Sequence, residues 1–152
     1  MLAELCATLD ALPEEQARDI FLVLLPMDSA GENSLCVNAI QSSSFVVVQN
    51  SLQEGFGLTL TEAMFKRVPV IGTAQALGLR AQVSDGLTGL LTLGDPRQAK
   101  NVAASLAHML SHAKSRHAMA VNGQARVVES GLMYRQAEQW IELLLTLKAG
   151  CQ

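Results

Sequence analysis

Charge is scarce in this chain. Only 16% of its 152 residues are Asp, Glu, Lys or Arg, against a usual ~25%, which excludes a disordered, solvating polypeptide. Eleven basic against 14 acidic residues give a net charge of −3 and a pI near 5.5. That balance excludes nucleic acid as the main partner, because phosphate contacts need clustered Lys and Arg. No apolar run reaches the ~18 residues of a membrane span. The opening residues MLAELCATLD carry no basic stretch, so neither a membrane span nor a secretory signal is expected. Cysteine is sparse and odd in number. Cys6, Cys36 and Cys151 are widely spaced with no CxxC, and are expected as reduced, mostly buried thiols of a cytoplasmic protein.

Several catalytic patterns are missing as well. There is no Gly-x-Ser-x-Gly elbow and no Walker-type phosphate loop, and Cys36 has no suggested His partner, so nucleophilic hydrolysis is not expected. His108 and His112 have the i, i+4 spacing of a metal pair, but Met109 stands where the metalloprotease pattern needs Glu. With no third ligand in view, neither a metal nor another cofactor is expected. His117 is expected to be solvated near a helix end.

What the chain does have is apolar surface. Its hydrophobic fraction is 49% and its mean hydropathy +0.25, more than one compact domain of this size needs. Part of that surface is expected under a second copy or a partner chain. The length fits one domain, residues 1–152.

Periodicity predicts helices over residues 2–12 and just after Pro13, where Glu14 and Glu15 sit at the positive end. Residues 20–25 (IFLVLL) read as a strand covered on both faces, as in a parallel sheet. Residues 29–42 read as a helix with Leu35, Cys36, Ala39 and Ile40 facing inward. Strands follow at 45–49 (FVVVQ), 69–73 (PVIGT) and 89–93, separated by helices at 57–67 and 79–83 and by a turn at Ser84–Asp85–Gly86. From Pro96 onward the pattern is helical, with breaks near Gly123 and Gly131, and the last helix carries Trp140, Ile141, Leu144 and Leu145. The fold class is therefore α/β, an incomplete Rossmann-like domain of about four mainly parallel strands with a helical C-terminal third.

The segment NSLQEGFGLTLTEAMFKR, residues 50–67, carries the chemistry. It leaves a buried-type strand and opens a helix, at the carboxyl end where open α/β sheets bind ligands. Gly55 and Gly57 bracket Phe56 and leave backbone amides uncovered beside the positive end of the helix, a site for an anion or for sugar oxygens. Glu54 and Glu62 stand with seven residues between them. A carboxylate is a bidentate acceptor suited to the vicinal diol of a ribose. By spacing alone, the same residues also make an ordinary strand–turn–helix joint with two solvated acids.

EGFGLTLTEAM, followed by KRVPVIGT and DGLTGLL, resembles the C-terminal domain of retaining, nucleotide-sugar-dependent glycosyltransferases of the GT-B fold, whose Glu-x7-Glu motif marks the donor site. LPMDSAGENSLCVNAIQSSSFVVVQNSLQEGFGLT is similar to their trehalose synthase and trehalose phosphorylase branch. The resemblance covers residues 25–91. It implies that Glu54 contacts the donor sugar as the catalytic acid of the motif. It implies further that Gly55, Phe56, Gly57, Leu58 and Thr59 approach the sugar and diphosphate, and that Glu62 holds the ribose of a UDP- or ADP-glucose type donor.

The chain departs from that pattern in four places. The strand and loop that supply an Arg and a Lys to the leaving diphosphate have no counterpart, and Arg18 is the one cation before Lys66. The acceptor domain has no counterpart either. The Gly-Gly turn after PVIG is Ala74–Gln75–Ala76–Leu77–Gly78, with Arg80 the nearest substitute cation, and the helix-ending glycine is Arg67. Two functions are consistent with these residues. One is a donor-binding glycosyltransferase domain that is not catalytic alone. The alternative is a non-catalytic oligomeric module derived from such an enzyme. Without its first strands, IFLVLL is expected to pair anew with FVVVQ, or two copies to join there.

Overall fold

The computed structural model describes residues 2–150, so Cys151 lies outside the described residues. The chain divides into two compact units, Met1–Val37 and Asn38–Gln152. The first holds α1 (Leu2–Asp10), α2 (Glu14–Ala17) and the start of α3 (Ala30–Ser43). Pro13 opens α2 with φ −55° and its carbonyl accepts from the amides of Gln16 and Ala17, as a proline before a first turn should. Ser29 caps α3, its hydroxyl accepting from the amide of Glu32 at 3.3 Å, which satisfies one of the orphan donors of that helix end.

Residues 20–25 form no strand, a correction to the four-strand expectation. Phe21 is 80% and Leu24 76% exposed. Strand geometry is held by ladder hydrogen bonds to a neighbouring strand, and among the described residues of the first unit there is no strand to supply them. The inward stripe expected on α3 is also absent. Leu35 and Ile40 are 71% and 49% exposed, and the buried residue of the helix is the polar Gln41.

The second unit is built on a parallel sheet of three strands, β1 (Val47–Gln49), β2 (Val70–Thr73) and β3 (Leu90–Thr92), in that order. Around it lie α4 (Leu58–Phe65), α5 (Leu77–Gln82), α6 (Ala99–Ser111) and α7 (Ala113–Arg126), then a π turn (Val127–Gly131) and α8 (Met133–Gly150). Every residue of β2 is buried, which is why its sequence does not alternate. Successive side chains point to opposite faces. Val70 joins the core of Leu60, Met64, Leu79 and Val127, whereas Ile71 joins Met109 and Met119. Thus α4 and α5 cover one face of the sheet and α6 the other. Burying each Leu or Met of these clusters contributes roughly 1.5–3 kcal/mol.

Gly123 does not break a helix. It sits inside α7 where a Cβ would stand 3.1 Å from the carbonyl oxygen of Thr88 and 3.4 Å from Cγ of Met64, so glycine here permits close packing. One break falls at His112, φ −117° and ψ 67°, between α6 and α7, and the expected one near Gly131 falls at Leu132, which is extended before α8. Arg67 takes the capping conformation of a glycine, φ 61°. The Val68 amide donates to the Ala63 carbonyl at 2.9 Å and the Arg67 amide to that of Met64 at 3.0 Å. This is the Schellman ending, retained with a residue whose Cβ costs about 1–2 kcal/mol in that region. The thiols differ from expectation too, with Cys6 exposed and Cys36 half-buried.

Candidate functional site

The site is assembled where β1 ends. Gln49, its last residue, reaches forward and donates from Nε2 to Oε2 of Glu54 at 2.7 Å. The other carboxylate oxygen accepts from the amide of Phe56 at 3.4 Å, and the Glu54 carbonyl accepts from the amide of Gly78 at 3.0 Å. Glu54 is half-buried and tied on three sides, to β1, to its own loop and to α5. An ionised carboxylate has about four acceptor positions, so two remain for a ligand. Gln49 Oε1 is buried with no hydrogen-bond partner.

Glu62 is held by a second glutamine. It is exposed on the first turn and a half of α4, and its Oε2 accepts from Nε2 of Gln41 at 3.2 Å. The Gln41 carbonyl oxygen accepts in turn from the ammonium of Lys66. Gln41, 5% exposed, is therefore buried with both ends of its amide paired, as a buried polar group must be. Each acid of the motif is steadied by a glutamine from an earlier element, Glu54 by Gln49 of β1 and Glu62 by Gln41 of α3. Composition hid both glutamines, since a neutral amide carries no motif. The one signal was a polar residue closing an otherwise apolar strand.

Between the acids, Gly57 has φ +87° and begins α4 without a side-chain cap. A Cβ there would lie 2.3 Å from Cδ2 of Leu79, so both its dihedral and its surroundings require glycine. Gly55 is different: nothing lies within 4 Å of its Cβ position, and it leaves the loop surface open without being required by packing. Leu58 and Thr59 are exposed at the start of α4, where the first amides of a helix have no intrahelical acceptor and its dipole is positive. Phe56 faces elsewhere. It lines a half-open pocket of ≈ 210 Å³ with Thr61, Met64, Val127 and Ser130, which neither acid borders.

Glu54 instead borders an open basin along the carboxyl ends of β1 and β2. Two adjoining hollows of ≈ 510 and ≈ 620 Å³ compose it, sharing Gln53 and Gln75. Glu54, Gly55 and Leu77 line the first; Ser51, Leu52 and Arg97 line the second. Arg80, weighed above as a phosphate ligand, is exposed on α5 and borders neither. The rings of His108 and His112 stack at 4.2 Å, and His112 Nδ1 lies 3.0 Å from the His108 carbonyl oxygen. Stacked rings do not converge on an ion. Among the described residues, no three His, Cys, Asp or Glu gather as a metal site, and no helix is long and apolar enough to cross a membrane.

The model of the family described as "Glycosyl transferases group 1" matches residues 31–126, which include both acids, the loop between them and the sheet beneath. The chain belongs to that family. The trehalose synthase of Thermococcus litoralis is 36% identical over 108 residues, 71% of this chain. The chain spans about a quarter of the length of that relative, 25%. Among solved structures, the sucrose-phosphate synthase of Thermosynechococcus elongatus is 30% identical with a TM-score of 0.65, over 78% of this chain and 29% of that one. HepE of Anabaena, solved in complex with UDP, shares the fold at 23% identity and TM-score 0.61, over 78% of this chain and 30% of that one. The parallel sheet with flanking helices is thus the C-terminal arrangement of GT-B glycosyltransferases, trehalose synthase-like in sequence.

Proposed function

We propose that the second unit is the donor half of a hexosyl-transfer site, taking a nucleotide-sugar of the UDP- or ADP-glucose type. The observation that carries this reading is the pair of glutamine-held carboxylates, Glu54 and Glu62, on either side of the exposed first turn of α4. In this assignment Glu62 accepts the two hydroxyls of the ribose. The amides from Gly57 to Thr59 face the diphosphate, where fixed dipoles stabilise charge as it develops on the leaving group. Glu54, already oriented, accepts from sugar hydroxyls and offsets positive charge at the anomeric carbon. Gly55 leaves room for the sugar ring. A carboxylate held in place before the ligand arrives needs no reorganisation during reaction. The acceptor-binding half lies outside this unit, so transfer needs a further domain or chain.

Calorimetric titration of the intact chain tests the assignment. Glu62→Ala is expected to weaken UDP-glucose or ADP-glucose binding by about tenfold to a hundredfold, the equivalent of one or two charge-assisted hydrogen bonds. It should also lower stability by about 1–3 kcal/mol, because Nε2 of buried Gln41 loses its acceptor, so the titration is run well below the melting temperature. Unchanged affinity for both donors would overturn the role of Glu62.

A second reading, a non-catalytic module of two associating copies, is favoured by α8. Its 18 residues expose Trp140 at 64% and Leu145 at 62%, an apolar surface that a second chain would cover. The same titration separates the two readings, since such a module binds neither donor.

A further inference from the structure

We propose that the basin continues past Glu54 into an anion subsite centred on Arg97, which takes the phosphate of a phosphorylated sugar rather than the diphosphate of the donor. The β3–α6 connection that carries Arg97 is tied down by amide side chains. Asn50 donates to the Pro96 carbonyl at 2.7 Å, Gln75 to that of Gly94 at 2.9 Å, and Asn101 to that of Asp95 at 2.9 Å. Asn50 belongs to the loop after β1 and Gln75 to the loop after β2, so the segment is bound to both walls of the basin. The backbone amide of Arg97 donates to Asp95 Oδ1 at 3.0 Å, and the guanidinium lies 3.7 Å from the same oxygen. That exposed contact is weak and leaves most of the guanidinium's five donors free.

Among the described residues lining the two hollows, Arg97 is the one cation and Glu54 the one acid. Neutral amides and hydroxyls, Ser51, Gln53 and Gln75, lie between them. A ligand suited to that gradient has hydroxyls near Glu54 and a negative group at the far end. Position decides which ligand that is. Glu62 stands on α4, on the face of the sheet that Val70 buries, whereas Arg97 leads into α6, on the face that Ile71 buries. The hollow of Glu54 adjoins that of Arg97 through Gln53 and Gln75, and Glu62 borders neither. The inference rests on the donor reading for this orientation: with the ribose at Glu62 and the donor sugar at Glu54, Arg97 meets the group beyond the donor sugar. Arginine presents a fork matched to phosphate oxygens.

Amide chemical-shift titrations of the intact chain test this with four probes: glucose, glucose 6-phosphate, inorganic phosphate and UDP. Glucose 6-phosphate is expected to bind about three- to tenfold more tightly than glucose or inorganic phosphate, with shifts at Arg97, Gln75 and Gln53, and less tightly as salt rises. Arg97→Gln should abolish that advantage, Arg97→Lys should retain part of it, and UDP affinity should stay within twofold in both. Equal binding of glucose and glucose 6-phosphate would overturn the subsite, as would an advantage that survives Arg97→Gln. Inorganic phosphate binding as tightly as the sugar phosphate would show a bare anion contact and overturn it too. A parallel loss of UDP and sugar-phosphate binding in Arg97→Gln would assign the cation to the donor diphosphate instead. UDP failing to bind, with the advantage at Arg97 intact, would support the subsite and overturn the donor reading alone.

Discussion

Gly78→Ala is expected to lower the melting temperature by roughly 6–12 °C, a loss of about 2–4 kcal/mol for a chain of this size. A Cβ at this position would lie 2.5 Å from the carbonyl carbon of Gly55, 2.6 Å from its oxygen and 2.6 Å from the amide nitrogen of Phe56. All three are backbone atoms, so no rotamer change relieves the contact. Either α5 lifts from the loop or the loop moves, and both routes break the bond from the Gly78 amide to the Glu54 carbonyl. The substitution therefore reaches function as well as stability, with donor affinity falling alongside the melting temperature. Gly55→Ala is the matched control. Its Cβ meets nothing within 4 Å, and thermal unfolding should stay within about 0.5 kcal/mol of the parent. A Gly78→Ala protein that melts with the parent would show that α5 does not rest on the loop.

Leu79→Ala is the second large effect, about 3–4 kcal/mol by denaturant unfolding. Leu79 is fully buried and packs under Gly57, where a Cβ would stand 2.3 Å from its Cδ2, and against Gly72 of β2, whose Cβ would meet Leu60 at 3.1 Å and Leu79 at 3.4 Å. Truncating it opens a cavity directly beneath the start of α4. The same geometry predicts coupling. Gly57→Ala alone suffers both the clash with Leu79 and the positive φ, whereas in the Leu79→Ala background only the dihedral penalty remains. The double variant should thus be more stable than the sum of the two singles requires, by about 1 kcal/mol or more. Strict additivity would mean that Gly57 and Leu79 are not in contact.

These two residues also show what the amino-acid sequence exposed and what it concealed. The order of strands and helices from residue 45 onward was legible, because β2 is buried on both faces and its apolar run has no alternation. The motif from Glu54 to Glu62 was legible for the same reason, being a fixed arrangement of glycines and acids on a strand–turn–helix joint. Residues 20–25 misled. An apolar run specifies a strand only where a neighbour accepts its hydrogen bonds, and that neighbour is a property of topology, not of composition. Arg67 misled in the opposite direction, since the Schellman ending tolerates a strained arginine when the rest of the helix end is satisfied.

The parts of the site that escaped notice are the neutral ones. Gln41 and Gln49 orient the two acids through single hydrogen bonds donated by their side-chain amides, and no spacing rule marks them. Arg97 lies 43 positions beyond Glu54 and comes to the basin only because three separate amides tie its loop down. Gly78 looked like one residue of an altered turn, and its close contact with Gly55 depends on how α5 packs. In each case the missing information was which surfaces meet, which a linear pattern does not encode.

The central claim is that the turn between β1 and α4 holds the donor. Mapping a UDP-glucose or ADP-glucose titration onto backbone amide resonances tests it most directly. The account predicts the largest shifts at Gly57, Leu58, Thr59 and Glu62, with smaller ones at Glu54 and Gly55. Shifts concentrated instead at Val127, Ser130 and Gly131 around the half-open pocket that Phe56 lines, or none with either nucleotide-sugar at millimolar concentration, would contradict it.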